Sequence, residues 1–193
     1  FTQQRSFHDD RSCQTAIMCG ISGYCGDFPE SLLYSMNHVL AHRGPDDEGV
    51  WHDSRFRVGL AHRRLSIIDL STSGHQPMWD VSRRAVIAYN GEVYNYLELR
   101  RQLQSQGWNF RTQSDTEVLL ACHVHYGQAA LDRIDGMFAY AIWDALERKL
   151  LLVRDRIGIK PLFYTQVGSN LYFASELTAL LQHPATPRGL NPL

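Results

Sequence analysis

The chain has no surplus of charge of either sign: 19 Lys and Arg stand against 20 Asp and Glu, for a formal net charge of −1. That balance gives no electrostatic reason to hold nucleic acid or an anionic membrane, and both are set aside as partners. Cysteine is scarce too. Four residues, Cys13, Cys19, Cys25 and Cys122, are too few for a disulfide scaffold, and the N-terminus lacks the apolar stretch of a secretory signal. A reducing cytoplasm is therefore the expected compartment. The first three cysteines recur every six residues, wider than the C-x2-4-C pairs that zinc favours, so no metal site is expected. No G-x-x-x-x-G-K-[ST] phosphate loop, G-x-G-x-x-G turn, internal repeat or low-complexity tract occurs, and no nucleotide site is visible.

What is present is the composition of one globular domain: 193 residues, 44% hydrophobic and 20% charged. Residues 1–17 are polar and unpatterned. From Asp27, "DFPESLLYSMNHVLAH" carries apolar residues at 32, 33, 36, 39 and 40, the period of a one-sided helix, and "HRGPDDEG" follows as a loop. "RFRVGLAHRRLSIIDL" and "RAVIAYN" look extended. Two helices are expected at "NYLELRRQLQSQG" and "SDTEVLLACHVHYG". In each, a capping residue (Asn95, Ser114) stands three before a glutamate (Glu98, Glu117), and a glycine (Gly107, Gly127) ends the run. "GMFAYAIWD", "KLLLVRD", "PLFYTQ" and "LYFASE" are closely spaced strands, followed by a short helix in "SELTALLQH". Runs such as "LLLV" and "AYAIW" do not alternate, which implies sheets covered on both faces: two sheets packed together with helices outside them.

The chemistry turns on "MCGI". Inside a chain the nitrogen of Cys19 is an amide whose lone pair is delocalised. At a free terminus it becomes an amine of pKa roughly 7.7–8.0 beside a thiol near 8.5, so base and nucleophile share one residue. The alternative is a small apolar side chain in a strand. "YNGE" likewise has two readings. Asn90-Gly91 between apolar runs is a type I′ hairpin turn, or else the Asn90 amide and the Gly91 N–H form an oxyanion hole. In "HRRLSIID", Arg63 and Arg64 point to opposite sides of a strand, so one can grip a carboxylate while the other meets solvent, or both are surface charges. Asp115, in a helix's first turn, either complements the helix dipole or takes an ammonium group. Taken together, these groups describe a pocket for an amino acid with a side-chain amide, and glutamine fits. The histidines make no rival site: His123 and His125 face different ways, and no H-E-x-x-H occurs.

Nine segments, "MCGISG", "HRGPDDEG", "AHRRLSIIDLS", "GHQPM", "YNGEVYNYLELR", "SDTEVLL", "GMFAYAIWD", "RDRIGIKPLFY" and "FASELTALL", resemble in order the N-terminal glutaminase domain of glutamine-hydrolysing asparagine synthetases. These are class II glutamine amidotransferases of the Ntn-hydrolase superfamily. The resemblance implies an α+β fold, a four-layer αββα sandwich of two antiparallel sheets. It implies that Cys19 is the nucleophile exposed by removal of Met18, that Asn90 and Gly91 form the oxyanion hole, and that Arg64 holds the glutamine α-carboxylate. Asp115, Glu92 and the backbone around Ile67 would hold the amino end. His42 to Pro45 form a loop near the site with no assigned role. Residues 1–18 then read as a leader or upstream extension, 19–182 as the amidotransferase domain, and 183–193 as the start of a linker. No cofactor is implied in this segment. ATP and magnesium would belong to a C-terminal synthetase domain that amidates aspartate, and a homodimer stays open; the alternatives are an amidotransferase of the same family with another acceptor, or a non-catalytic glutamine-binding module if Cys19 is not N-terminal.

Overall fold

The structure is a computed structural model that describes residues 18–65 and 74–188. The described residues form strands β1 (Gly20–Cys25), β2 (Asp47–Asp53), β3 (Val58–Arg64), β4 (Met78–Trp79), β5 (Ala85–Val93), β6 (Gly136–Asp144), β7 (Lys149–Arg154), β8 (Phe163–Val167) and β9 (Asn170–Ala174). Helices are α1 (Glu30–Val39), α2 (Tyr96–Ser105), α3 (Asp115–Tyr126) and α4 (Leu177–Leu180). One sheet runs β2-β3-β1-β9-β8 and the other β4-β5-β6-β7. All pairs are antiparallel.

Successive strand residues face opposite ways, so each strand feeds two apolar layers. Ile21, Val58, Leu60, Val86, Ala88, Ala139 and Phe173 meet between the sheets. On the outer face of the first sheet, Tyr24, Ala61 and Tyr172 receive Leu32, Leu33, Met36 and Leu40 of α1 and the segment after it. On the second, Ile87, Tyr89, Tyr140 and Ile142 receive Leu99 and Leu103 of α2 with Val118, Leu119 and Cys122 of α3. Fully buried side chains such as Leu33 and Met36 contribute about 1.5–3 kcal/mol each. The result is the expected αββα sandwich, and the non-alternating runs are strands covered on both faces.

Local details differ from the sequence expectations. The loop expected over "HRGPDDEG" gives way at Asp47 to β2, a strand hidden by its charges, which pairs along β3. Helix α1 starts at Glu30 after Pro29, with no side-chain cap. Asn95 precedes α2 without capping it: its amide donates to the Arg133 carbonyl at 2.8 Å and accepts from Asp135 N at 3.1 Å. Ser114 does cap α3, accepting from Thr116 N at 3.1 Å. Glu117, expected to reach back to the cap, instead accepts from the amides of Arg111 and Thr112.

The hairpin alternative at Asn90-Gly91 is overturned. Both residues lie inside β5, paired with Ala139 and Phe138 of β6. A Cβ on Gly91 would stand 2.3 Å from the Met137 carbonyl oxygen, so close approach of two backbones, not a turn, requires the glycine.

Candidate active site

The inward row of each sheet extends past the apolar layer into a polar end. Residues 86 and 88 of β5 lie between the sheets, so Asn90 and Glu92 continue that row. In β3, Val58 and Leu60 do the same, and His62 and Arg64 follow. Ile21 leads β1 inward, which places Cys19 two residues before it on the same side. Cys19, Arg64, Asn90 and Glu92 therefore converge on one end of the seam between the sheets. Ile67 lies outside the described residues.

Cys19 is half-buried, and its Sγ accepts from Leu65 N at 3.4 Å. Burial pushes the thiol up from its ordinary value, while the Leu65 amide and the Arg64 and Lys160 charges pull it down. Asn90 is 2% exposed, and its Nδ2 has no hydrogen-bond partner. A buried donor without an acceptor is costly, and it is what a site awaiting an oxyanion would hold ready.

The neighbouring N–H groups indicate the direction of Gly91. Tyr89 N donates to Gln76 Oε1 at 2.7 Å and Val93 N to Asp115 Oδ2 at 3.0 Å. Alternate amides of a strand point the same way. Gly91 N–H is thus turned to this same edge, beyond the point where β4 stops pairing at Ile87. Asp115, the first residue of α3, also accepts from the Tyr89 hydroxyl at 2.8 Å, so this carboxylate is fixed from the helix layer against the rim of β5.

The two arginines separate as the strand period requires. Arg63 turns outward, donating to the Asn37 carbonyl at 3.0 Å and pairing with Glu48 at 2.6 Å. Arg64 turns inward and is 9% exposed. Its guanidinium lies against Gly74, where an added Cβ would approach it to 2.5 Å. His62 is fully buried, with Nε2 3.0 Å from the Tyr89 carbonyl. Burial drives its pKa down to about 4, so it is neutral at physiological pH.

Sequence reasoning missed the groups that hold Cys19 in place. Arg43, within the "HRGP" loop, donates from Nε to the Cys19 carbonyl at 3.1 Å and from Nη1 to Glu176 at 3.0 Å. His42 joins the same carboxylate at 2.9 Å. Ser175 brackets Ile21, its Oγ accepting from Ile21 N and its N donating to Ile21 O. Lys160 is 7% exposed, with Nζ 3.0 Å from Met18 Sδ. The motifs "HRGP", "FASE" and "RDRIGIK" pointed to the right segments, but no periodicity could tell that they meet. Among the described residues no cluster could hold a metal ion, and Cys19, Cys25 and Cys122 are free thiols. A surface groove lined by Tyr34, Asn37 and Arg63 lies on the α1 side and includes none of the converging residues.

Two antiparallel sheets covered by helices, opening at one end on a cysteine just ahead of the first strand, define the sandwich of the N-terminal-nucleophile hydrolases. A solved structure of similar shape is the glutamine phosphoribosylpyrophosphate amidotransferase of B. subtilis, with TM-score 0.72 and 23% identity over 84% of this chain and 43% of that one. The likeness at that identity concerns the fold. The profile of the glutamine amidotransferase domain matches residues 18–192, and the chain belongs to that family. It is 44% identical over 171 residues to asparagine synthetase [glutamine-hydrolyzing] 1 of Bacillus subtilis (strain 168), covering 85% of this chain and 27% of the relative. It is 37% identical over 184 residues to amidase chry2 of Gibberella zeae, covering 88% and 27%. The chain thus spans little more than a quarter of the length of these relatives. No helix among the described residues is long and apolar enough to cross a membrane.

Proposed function

We propose that this domain, with Met18 removed, hydrolyses the side-chain carboxamide of L-glutamine to glutamate and ammonia. The observation that carries the reading is the buried, unpartnered Asn90 Nδ2 at the end of the seam where Cys19 stands. Arg64 takes the substrate α-carboxylate, and Asp115, Glu92 and the backbone near Ile67 take its ammonium group. The α-amine of Cys19 accepts the thiol proton as Sγ bonds to the carboxamide carbon. Asn90 Nδ2 and Gly91 N–H receive the negative oxygen. The proton passes to the departing nitrogen, the C–N bond breaks, and ammonia leaves a thioester on Cys19. Water, deprotonated by the same amine, attacks the thioester. The C–S bond breaks, the sulfur regains its proton and glutamate departs.

The destination of the ammonia is proposed from the relatives: a synthetase domain, outside these 193 residues, that uses ATP and magnesium to activate aspartate for amidation. The alternative, an acceptor other than aspartate, is favoured by the 37% identity to an enzyme named an amidase.

Protein produced to begin at Cys19 tests the catalytic reading. It should release ammonia from glutamine, and a diazoketone analogue of glutamine should add its mass to Cys19 alone. Cys122, whose thiol is pushed up to about 12 by burial, and half-buried Cys25 are internal controls. Labelling of either control in place of Cys19, or full activity in protein that keeps Met18, would overturn it.

A further inference from the structure

Lys160 is a buried ammonium that the chemistry above leaves unused. It is 7% exposed, and among the described residues its Nζ donates only to the Met18 sulfur, at 3.0 Å. A thioether is a weak acceptor and does little to offset the lost hydration of the charge. The cation beside it is otherwise engaged: Arg43 pairs with Glu176.

The position is firmly built. The Asp155 carboxylate accepts from the amides of Ile157, Ile159 and Lys160 at 3.2, 2.9 and 2.9 Å. The Arg154 guanidinium donates to the carbonyls of Lys160 and Gly158 at 2.9 and 2.7 Å. The turn 155–160 is thereby tied at both ends, and it delivers the Lys160 stem to the seam between the sheets. Five bonds separate the Met18 sulfur from the Cys19 nitrogen. The ammonium thus lies within about 9 Å of that nitrogen by bond lengths alone. It is also near enough to the Cys19 sulfur for the two charges to stabilise each other.

We propose that Lys160 is a positioning charge for the reaction: its ammonium keeps the α-amine of Cys19, once freed, in the unprotonated form that can accept the thiol proton at neutral pH. The proposal rests on the reading of Cys19 as the N-terminal nucleophile. An ordinary α-amine of pKa roughly 7.7–8.0 is mostly protonated at pH 7 and is then no base. A fixed like charge nearby disfavours its protonated form.

The other charges facing this nitrogen do not cancel the effect. Arg43, bonded to the Cys19 carbonyl, and Arg64 are of the same sign. His62 is neutral, and Glu176 is held by Arg43 and His42. Asp155 is saturated by backbone amides, and the Asp115 carboxylate is already engaged by the Tyr89 hydroxyl and the Val93 amide at the rim of β5. Glu92 is exposed and solvent-screened. Burial and Arg43 pull Lys160 down from its ordinary value, whereas Cys19, Glu92 and Asp155 pull it up.

The pH dependence of kcat/KM for glutamine hydrolysis, in protein beginning at Cys19, reads the amine on its acid limb. Lys160→Met keeps the stem and drops the charge, so its acid limb should move up by about one pH unit, while Lys160→Arg should keep the wild-type limb. An acid limb unmoved in Lys160→Met, or moved equally in Lys160→Arg, overturns the proposal. If Lys160→Met does not fold, the wild type carries the test through nitrogen-15 NMR of its labelled Cys19 amine. That amine should titrate below the ordinary range, and titration within or above it overturns the proposal. Failure of the underlying reading looks different: protein retaining Met18 would turn over glutamine at full rate with no amine to titrate.

Discussion

Replacing Asn90 by alanine would separate chemistry from scaffolding, because the side chain is buried yet bonds to nothing through Nδ2. An unpaired buried donor costs a fold about 1–3 kcal/mol, so deleting it returns some stability. The void left by the amide costs a comparable amount. The two offset to within about 1 kcal/mol, a change in Tm of only about 2–4 °C for a domain of this size. Catalysis should respond far more. Removing one oxyanion donor costs about 2.7–4 kcal/mol of activation free energy, a fall in kcat of about 100- to 1,000-fold. KM should move little, because the donor acts on charge that exists only in the transition state. Glutamate release, coupled to glutamate dehydrogenase, measures the rate in protein beginning at Cys19, and calorimetry measures the melt. A kcat within threefold of wild type at unchanged Tm would refute the assignment of Asn90. So would a collapsed Tm with kcat per folded molecule intact.

Gly91→Ala should destabilise the fold by about 1–3 kcal/mol in urea melts, since its Cβ would stand 2.3 Å from the Met137 oxygen; an unchanged midpoint would contradict the register of β5 and β6. Arg43→Lys keeps a charge but cannot serve both the Cys19 carbonyl and Glu176 from one planar group, so kcat should fall about tenfold or more, and wild-type turnover would show that this anchor is dispensable. His62 is held neutral with its pKa pushed down to about 4, whereas in the unfolded chain it titrates near 6.5. As pH falls below about 6.5 the unfolded chain takes the proton first, so wild type should lose roughly 3 kcal/mol relative to His62→Gln by about pH 4. Parallel stability curves for the two proteins over that window would rule this out.

The layered architecture was legible because it is written in apolar runs. "AYAIW" and "LLLV" can be satisfied only by cover on both faces, and the structure supplies it from α3 and from the opposite sheet. Strand β2 was hidden because "DEGVWHD" spends its polar residues on ion pairs, Glu48 with Arg63 and Asp47 with His75. Asn90-Gly91 carries the strongest short-range hairpin signal known, and tertiary pairing with β6 overrides it. The split of Arg63 from Arg64 followed from strand period alone. The anchoring of Cys19 by Arg43, Glu176 and Lys160 did not. These residues lie 24, 157 and 141 positions from Cys19, and only the closed sandwich brings them together.

The turn at 155–160 joins β7 of one sheet to β8 of the other. Cys19 and Arg64 come from the first sheet, Asn90 and Glu92 from the second, and Lys160 from the segment that bridges them. Neither half alone holds a complete set of reactive groups. On the proposed mechanism, a nascent chain is inert toward amides until its two halves have docked, and ammonia release becomes a report that the final assembly step has occurred.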